Sequence, residues 1–342
     1  MSTSLSIPKS ASAAHLATAF SLGGAWSSSD PSSTTVLAPQ SNSSLSTSST
    51  FSLLSQDWAV TGNNGAPNTE WVKDPFEQAN LQDVLQVTYP VGTREGTQFT
   101  MRTFDNYTHE WNQTVQTALL RYDVAFSDDF DFVKGGKLPG LYGASQGARA
   151  ICSGGNREED CFSARLMWRE RGGGEVYAYV PTYSGFCSQS DVICNSDYGI
   201  SLSRGSFRFK PGGWTTITQL VSLNTVGTAN GLLYLYANDT LALAHTGMTW
   251  RTRDDVTLDS VLFSTFFGGS DHSWAARGGT SFFRRFEVYA SSLASNATGP
   301  AVNASATGGF TSPAPLPPSA HTSLRPLAGL LVLIAILLQL VS

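Results

Sequence analysis

The stretch CFSARLMWRERGGGEVYAYV, residues 161–180, decides the fold. Two strand-like runs flank RGGGE, a sequence typical of a hairpin turn. Successive side chains of a strand point to opposite faces, so Ser163 and Arg165 share one face of the first run. Tyr177 and Tyr179 share one face of the second run for the same reason. The sequence therefore predicts a β-hairpin that brings the two polar pairs side by side.

Strand signals recur outward from this hairpin, from about Phe51 to Ala290. Runs rich in Val, Tyr, Phe and Thr are separated by Gly, Asn and Asp, and the sequence contains no long amphipathic pattern typical of a helix. The clearest runs are VLQVTYPV (84–91), ALLRYDVAF (118–126), FSARLMW (162–168), EVYAYV (175–180), YGISLSRGSFRF (198–209), WTTITQLVSL (214–223), GLLYLYAN (231–238), SVLFSTFF (260–267) and FFRRFEVYA (282–290). This pattern predicts an all-β protein, a β-jelly-roll sandwich of antiparallel sheets with a concave face for a substrate.

Changes of composition divide the chain into four parts. Residues 1–50 are rich in Ser, Thr and Ala, and we interpret them as a weak signal peptide and a low-complexity segment. Residues 51–290 form the predicted domain. Residues 291–326 form a Ser/Pro/Ala-rich stalk, and residues 327–342 (LAGLLVLIAILLQLVS) form an uncharged tail.

The tail predicts a lipid anchor at the cell surface. It is shorter than the roughly 20 residues of a membrane span, and it follows small residues and a Pro-rich spacer, which is the pattern of a GPI-anchor signal. A tail anchor and a buried helix are the alternatives. The chain also carries six N-x-S/T sequons, which favour a secreted glycoprotein; they are at Asn42, Asn106, Asn112, Asn238, Asn296 and Asn303.

The four cysteines favour two disulfides. Their spacing matches no zinc site, and in an oxidising compartment an even set indicates a disulfide framework. We expect the local pairs Cys152–Cys161 and Cys187–Cys194, since each closes a short loop. The other two connectivities and free buried thiols are the alternatives.

The charge distribution argues against nucleic acid as a partner. The net charge is −5, and no run of basic residues forms a nucleic-acid footprint. A polyanion would have to be attracted by a local basic cleft, because the overall field repels it.

The stretch FSDDFDFVKGGKLPGLYG, residues 126–143, places Lys134 and Lys137 in a Gly-rich turn before the hairpin. Hydroxyls, a guanidinium and amines on one wall suit an acidic sugar. An arginine pairs with a carboxylate bidentately, and lysine and tyrosine can move protons. The wall therefore predicts a site for an acidic polysaccharide.

The two stretches together resemble polysaccharide lyase family 14 and the related fungal glucuronan lyases. DYGISLSRGSFRFKPGGWTTITQLVSLN (197–224) and TFFGGSDHSWA (265–275) are similar to the same family, and the resemblance spans about residues 57–290. It implies a jelly roll that cleaves a uronic-acid polymer by β-elimination, without a metal or other cofactor, and we expect a monomer. The fungal relatives favour a glucuronan-type substrate over alginate.

The resemblance also implies the residues of the site. Lys137, Tyr177, Tyr179 and Arg165 are the expected catalytic residues, and the resemblance adds Ser163 as a substrate-binding residue. Arg165 would neutralise the carboxylate. Lys137 would act as base and a tyrosine as acid, although the two roles could be exchanged. Both side chains have ordinary pKa values near 10, so a base needs neighbouring cations or burial to lower its pKa.

Further residues are candidates for the cleft. Lys134 and Arg204 are expected to bind substrate, and the other polar candidates are Arg208, Lys210, Gln219 and His272. The tryptophans that could stack on sugar rings or fill the core are Trp168, Trp214 and Trp274.

Three other interpretations remain open from the sequence. The domain could bind carbohydrate without turning it over. It could be a glycoside hydrolase, with Glu170 and Glu175 as its carboxylate pair across the GGG turn. The acidic turn with Asp128, Asp129 and Asp131 could bind Ca²⁺, although a surface turn explains it more simply.

Overall fold

The structure is a computed structural model of the 342-residue chain. It describes residues 7–28, 54, 58–61, 66–77, 82–105, 108, 112–148 and 151–308.

The described residues are dominated by β-strands. Helix α1 spans Ala13–Ala19, and short 3-10 turns lie at Glu170–Gly172, Phe186–Ser188 and His272–Trp274. The strands are β1 (Gly23–Ser27), β2 (Val60–Thr61), β3 (Thr69–Lys73), β4 (Asp83–Thr88), β5 (Thr97–Met101), β6 (Thr117–Phe126), β7 (Gly135–Ala144), β8 (Cys161–Arg169), β9 (Gly173–Tyr179), β10 (Val192–Ile193), β11 (Ile200–Arg208), β12 (Gly213–Ser222), β13 (Gly231–Ala237), β14 (Thr240–Met248), β15 (Thr257–Thr265) and β16 (Thr280–Ser291).

Two antiparallel sheets form a sandwich, which confirms the predicted fold class. Sheet A has the order β14-β13-β12-β6-β16-β4-β3, and β1 pairs with β16. Sheet B has the order β10-β11-β9-β8-β7-β15-β5-β2. Inward-facing side chains of both sheets form one large core, in which Phe126 of sheet A lies 5.6 Å from Trp168 of sheet B, ring centre to ring centre.

The predicted hairpin is β8–β9. Ser163 pairs with Tyr179 and Arg165 pairs with Tyr177, so all four side chains lie on the outer face of sheet B. The residues between them, such as Ala164 and Leu166, are buried in the core. Alternation along each strand therefore separates a polar outer face from an apolar inner face, as the sequence predicted.

A bulge in β7 sets the position of Lys137. The register of β7 against β8 shifts between Leu138 and Gly140, around Pro139, which has no N–H to donate to the ladder. A side chain of sheet A supplies hydrogen bonds beside the bulge. Gln219 of β12 crosses the core, accepts the N–H of Leu141 at 3.0 Å and donates to the carbonyl of Ala164 at 2.6 Å. Gln219 thus lies between the sheets, and its predicted place at the cleft is wrong.

Both ends of the predicted domain continue into ordered chain. Residues 7–28, which we expected to be a leader and low-complexity segment, form α1 and β1 on sheet A. Leu16 is fully buried, and it belongs to an apolar cluster with Tyr234 and Tyr236. Helix α1 therefore covers an apolar patch on the outer face of sheet A. Whether the segment is cleaved as a signal peptide stays a prediction.

At the other end, the expected stalk begins later than residue 291. Ser305 bridges to Thr182 and Ala301 bridges to Thr228, so the chain runs along the domain up to residue 308. The tail at residues 327–342 and the sequons Asn42 and Asn106 lie outside the described residues, and the anchor stays a prediction. In the part of the chain that the structure describes, no helix is long and apolar enough to cross a membrane.

The disulfide pairing is confirmed. Cys152 is bonded to Cys161 and Cys187 to Cys194, with Cα–Cα distances of 5.7 Å and 5.6 Å. The sequons that fall on described residues, Asn112, Asn238, Asn296 and Asn303, are all exposed.

Candidate active site

A cleft of about 990 Å³ lies on the outer face of sheet B. Its floor contains Lys137, Met167 and Tyr177, with Tyr179 and Arg169 beside them. Loop residues from 92–95 and 266–275 form one wall, and residues from 153–154 and 193–199 form the other. The concave face predicted for substrate is this cleft.

Lys137 lies within β7, not in the preceding turn where the sequence placed it. Its Nζ is 2.9 Å from the Sδ of Met167 and 3.4 Å from the centre of the Tyr177 ring. Burial holds the pKa of Lys137 well below its ordinary value, and the positive charges of Arg165 and Arg169 lower it further. The neutral amine is thereby favoured, and a neutral amine can accept a proton.

The two tyrosines stand edge to face, with ring centres 6.0 Å apart. The hydroxyl of Tyr177 accepts the backbone N–H of Gly199 at 3.0 Å, and the hydroxyl of Tyr179 accepts that of Gly155 at 3.0 Å. Burial raises the pKa of Tyr177, and the neighbouring Tyr179 raises it further. Tyr177 therefore keeps its proton across the physiological range and is suited to the role of an acid.

Arg165 lies beneath the cleft and not in its wall. Its side chain is completely buried; one terminal nitrogen donates to Ser264 Oγ at 3.1 Å and the other to Ser153 Oγ at 2.7 Å. Burial lowers its pKa to about 10. Ser163 is also fully buried and donates to the carbonyl of Cys152 at 2.7 Å. The loop closed by Cys152–Cys161 covers both residues, so the structure does not bring them to the position expected for direct contact with substrate.

Two other arginines reach the cleft. Arg204, a predicted residue, and Arg169, which the sequence analysis missed, both line it. Buried Glu175 holds them: its Oε1 lies 2.8 Å from Arg169 Nε, and its Oε2 lies 2.8 Å from Arg204 Nε and 2.6 Å from Ser201 Oγ. One carboxylate between two guanidiniums leaves this group of three side chains with a net positive charge.

The alternation along β8 could have identified Arg169 as a residue of the outer face. Arg169 continues the period-two series of residues 163, 165 and 167 on the outer face of β8. The same ion pairs argue against the hydrolase alternative. Glu175 is engaged by two arginines, and the Glu170 side chain is 71% exposed and outside the set of residues that line the cleft.

Lys134 is separated from the cleft. It lines a smaller groove next to it, where its Nζ contacts Ser273 Oγ and lies 5.8 Å from the centre of the Trp274 ring. The acidic turn flanks this groove: Asp131 pairs with Arg277 at 2.9 Å and caps the N–H of Val133 at 2.8 Å. No group of three potential metal ligands occurs among the described residues.

The other candidates divide between cleft and core. His272 and Trp274 line the cleft. Trp168 is buried in the core, and Trp214 lies in sheet A, where it donates to Asp74 and the Arg284 guanidinium stacks 4.2 Å from its ring centre. Arg208 donates to the carbonyl of Arg171 at 3.1 Å. Neither Arg208 nor the exposed Lys210 is among the described residues that line the cleft. The cleft prediction for Arg208 and Lys210 is therefore wrong, because period-two alternation does not say which sheet or which face holds the site. Of the two alternatives left open for the tryptophans, Trp168 fills the core and Trp214 packs on sheet A.

A jelly-roll sandwich with a lysine, two tyrosines and two arginines in a cleft on one sheet defines a class of carbohydrate-active proteins. The sequence model of the family Polysaccharide lyase 14 matches residues 77–286, which is more than half of the chain. The chain therefore belongs to this family.

Two solved structures and one curated relative illustrate the similarity. The PL-14 alginate lyase from Aplysia kurodai is 32% identical, with a TM-score of 0.65, over 79% of this chain and 100% of that one. Alginate lyase vAL-1 from Chlorella virus is 22% identical, with a TM-score of 0.54, over 73% of this chain and 99% of that one, and it supports the fold alone. Exolysin of Paramecium bursaria Chlorella virus 1 is 28% identical over 182 residues, which are 48% of this chain and only 28% of that relative.

Proposed function

We propose that the protein is a lyase that cleaves a 4-linked uronic-acid polysaccharide by β-elimination. The observation that carries the proposal is the buried amine of Lys137, whose pKa is well below its ordinary value and whose Nζ lies 3.4 Å from the Tyr177 ring in the cleft. A base that is neutral and an acid that is protonated are both needed at the same pH.

The reaction would proceed by one proton removal and one proton delivery. Lys137 takes the C5 proton of a uronate, and the C5–H electrons form the C4=C5 double bond. The C4–O4 bond breaks, and a tyrosine gives its proton to the departing O4. Tyr177 is the preferred acid because its ring centre lies 3.4 Å from Lys137 Nζ and its phenol keeps a proton to give at neutral pH. Water is not consumed, and return of the proton from Lys137 to the tyrosine restores the enzyme.

The carboxylate of the substrate also needs a partner. The C5 proton becomes more acidic when the developing enolate charge is stabilised, and such electrostatic stabilisation often contributes more to catalysis than any other single effect. We assign this role to Arg169 and Arg204, which line the cleft, instead of Arg165. Arg165 adds positive charge from below without touching the sugar.

Alginate is the first substrate to test. The similar Aplysia kurodai protein is described as an alginate lyase, whereas the motif resemblance favours glucuronan. Both are 4-linked polyuronates, and the chemistry proposed for the cleft is common to them. We propose in addition that the protein acts outside the cell, which two disulfides and exposed sequons support.

The test measures ultraviolet absorbance of the conjugated C4=C5 product. The purified full chain is incubated with alginate, glucuronan and a neutral β-glucan in parallel. We expect absorbance to rise with a polyuronate and to stay flat with the β-glucan, and we expect Lys137→Ala and Tyr177→Phe to lose the signal. Flat traces on both polyuronates, with binding retained, would contradict the lyase and favour a carbohydrate-binding protein.

A further inference from the structure

The Cys152–Cys161 loop and the segment 195–199, which follows the second disulfide, meet beside the tyrosines of the cleft. The loop between Cys152 and Cys161 presents the N–H of Gly155 to the Tyr179 hydroxyl. The segment that follows the second disulfide loop presents the N–H of Gly199 to the Tyr177 hydroxyl. Each tyrosine oxygen is therefore held by a backbone donor from a different loop.

Arg157 joins these two loops. It lies in the first loop, and its guanidinium donates to three backbone carbonyls of the second segment: to Ser196 at 2.7 Å, and to Asn195 and Tyr198. The second segment is already turned by the side chain of Asn195, which accepts the N–H groups of residues 197 and 198 at 2.8 and 2.9 Å. A planar fork of donors on three carbonyls fixes one loop against the other.

The donors stand very close to the rings. A Cβ on Gly199 would lie 2.7 Å from Tyr177 Cε1 and 2.8 Å from Tyr179 Cε2. Gly155 has a φ of +103°, and a Cβ there would meet the carbonyl of Asp197 at 3.0 Å. Only glycine permits both backbones to approach the tyrosines in this way, so a small displacement of either loop changes a tyrosine hydrogen bond.

We propose that Arg157 is a positioning residue for proton transfer: by clamping the two loops, it holds the Gly155 and Gly199 N–H groups on the hydroxyls of Tyr179 and Tyr177. A donor on a phenol oxygen stabilises the phenolate that remains when the proton has been given to O4. Arg157 does not line the cleft, and it acts through the loops. This proposal rests on the proposed lyase function for its kinetic part and on the loop contacts for its structural part.

The kinetic test compares Arg157→Lys and Arg157→Ala with wild type on the polyuronate that wild type degrades. We expect kcat to fall by about ten- to a hundredfold, as for a catalytic group misplaced by about 1 Å, while KM stays close to the wild-type value. The acid limb of the pH profile, which Lys137 sets, stays in place. Arg102→Lys is the matched control, because Arg102 is a half-exposed arginine whose ion pairs with Asp105 and Asp259 lie outside the cleft.

A double-mutant cycle separates positioning from general loosening. In a Tyr179→Phe background, which keeps the proposed acid Tyr177, Arg157→Lys should cost less than it does in wild type, since the Gly155 N–H has lost its acceptor. Full additivity with Tyr179→Phe, a wild-type kcat in Arg157→Ala, or a shifted acid limb would overturn the proposal.

Hydrogen exchange tests the clamp without activity. Peptides covering residues 152–161 and 194–199 should both exchange faster in Arg157→Lys than in wild type or Arg102→Lys. If the wild-type protein shows no lyase activity but the Arg157→Lys peptides still exchange faster, the proposed function is contradicted and the structural role of Arg157 is supported. Unchanged exchange in both peptides would show that Arg157 does not hold the two segments together, whatever the lyase activity.

Discussion

Lys137 is a side chain whose chemical role opposes its contribution to stability. Its amine is buried against Met167 and Tyr177, and its neighbours Arg165 and Arg169 are positive. The same surroundings that favour the neutral amine, which the proposed proton removal needs, penalise Lys137 in the folded protein. A functional site of this kind is retained at the expense of stability.

Lys137→Met is therefore expected to remove activity and to stabilise the fold. The folded-state pKa is below the ordinary value of 10.5, so the unfolded chain binds the additional proton between these two values. Wild-type stability thus rises with pH through that window, and the penalty is complete below it. We expect a roughly 10²- to 10⁴-fold loss of rate and a higher unfolding free energy at neutral pH.

Denaturant unfolding as a function of pH checks this prediction. The advantage of Lys137→Met should be present at neutral pH and should narrow as pH approaches 10.5. Met is close to Lys in length, so packing changes little. A variant that is less stable than wild type at neutral pH would show that the amine is charged and well paired.

Arg169 gives a second prediction at this scale. Arg169→Gln should lower kcat/KM by about ten- to a hundredfold, because a hydrogen bond to a charged group contributes about 1.5–3 kcal/mol. Arg208→Gln is the matched control, since that exposed arginine of β11 donates to the carbonyl of Arg171 and not into the cleft. Equal effects of the two substitutions on lyase kinetics would contradict the assigned role of Arg169.

The sequence predicted the residues of this site better than their depths. Alternation along β8 and β9 put Ser163, Arg165, Tyr177 and Tyr179 on one face, and the register agrees. Alternation carries no information about the Cys152–Cys161 loop, which lies over Ser163 and Arg165 and buries them. Depth below a surface depends on how loops fold back over the sheet, and period two does not encode it.

At the scale of elements, the β7 bulge depends on a hydrogen-bonding partner that short-range sequence patterns do not reveal. The sequence KLPG marked a turn, but the structure has a strand that continues through Pro139. That continuation requires a donor and an acceptor from the other sheet, which Gln219 supplies from β12. Partners 78 residues apart are invisible to a local pattern.

Gln219→Leu should destabilise the protein by about 2–4 kcal/mol, because it leaves the N–H of Leu141 and the carbonyl of Ala164 buried and unpaired. Activity should also fall, since the bulge lies next to Lys137. Thr218→Val is the matched control: its hydroxyl is buried and has no partner among the described residues, so its removal should be neutral or stabilising. Urea unfolding of both variants measures the difference, and equal midpoints would count against the bridge.

At the scale of the whole molecule, the ordered domain extends beyond the boundaries set by composition. Low hydrophobicity around residues 7–28 concealed an apolar face, on which Leu16, Phe20 and Leu22 belong to the same cluster as Tyr234. Composition averages over a window, whereas a seven-residue helix needs only a few apolar residues to cover a patch of sheet.

Leu16→Ala tests whether this segment belongs to the fold. We expect a loss of about 2–3 kcal/mol, the lower part of the range for truncating a buried leucine, because the helix lies at the surface of the sandwich. His15→Ala on the exposed side of α1 should have little effect. Thermal unfolding of the full chain measures both; a Leu16→Ala protein as stable as wild type would mean that the segment is dispensable.

The order of the strands also affects how this chain folds as it is made. β16 is the last strand in the described chain, yet it lies between β6 and β4 and also pairs with β1. While the ribosome is still adding residues before 280, the facing edges of β6 and β4 have no partner. Most of sheet B, which carries the cleft, can pair earlier, because β7 to β11 follow one another along the chain and pair among themselves. Synthesis from the N-terminus therefore gives the nascent protein an assembled catalytic sheet before its supporting sheet can close, and open strand edges must be protected from aggregation until translation reaches the end of the domain.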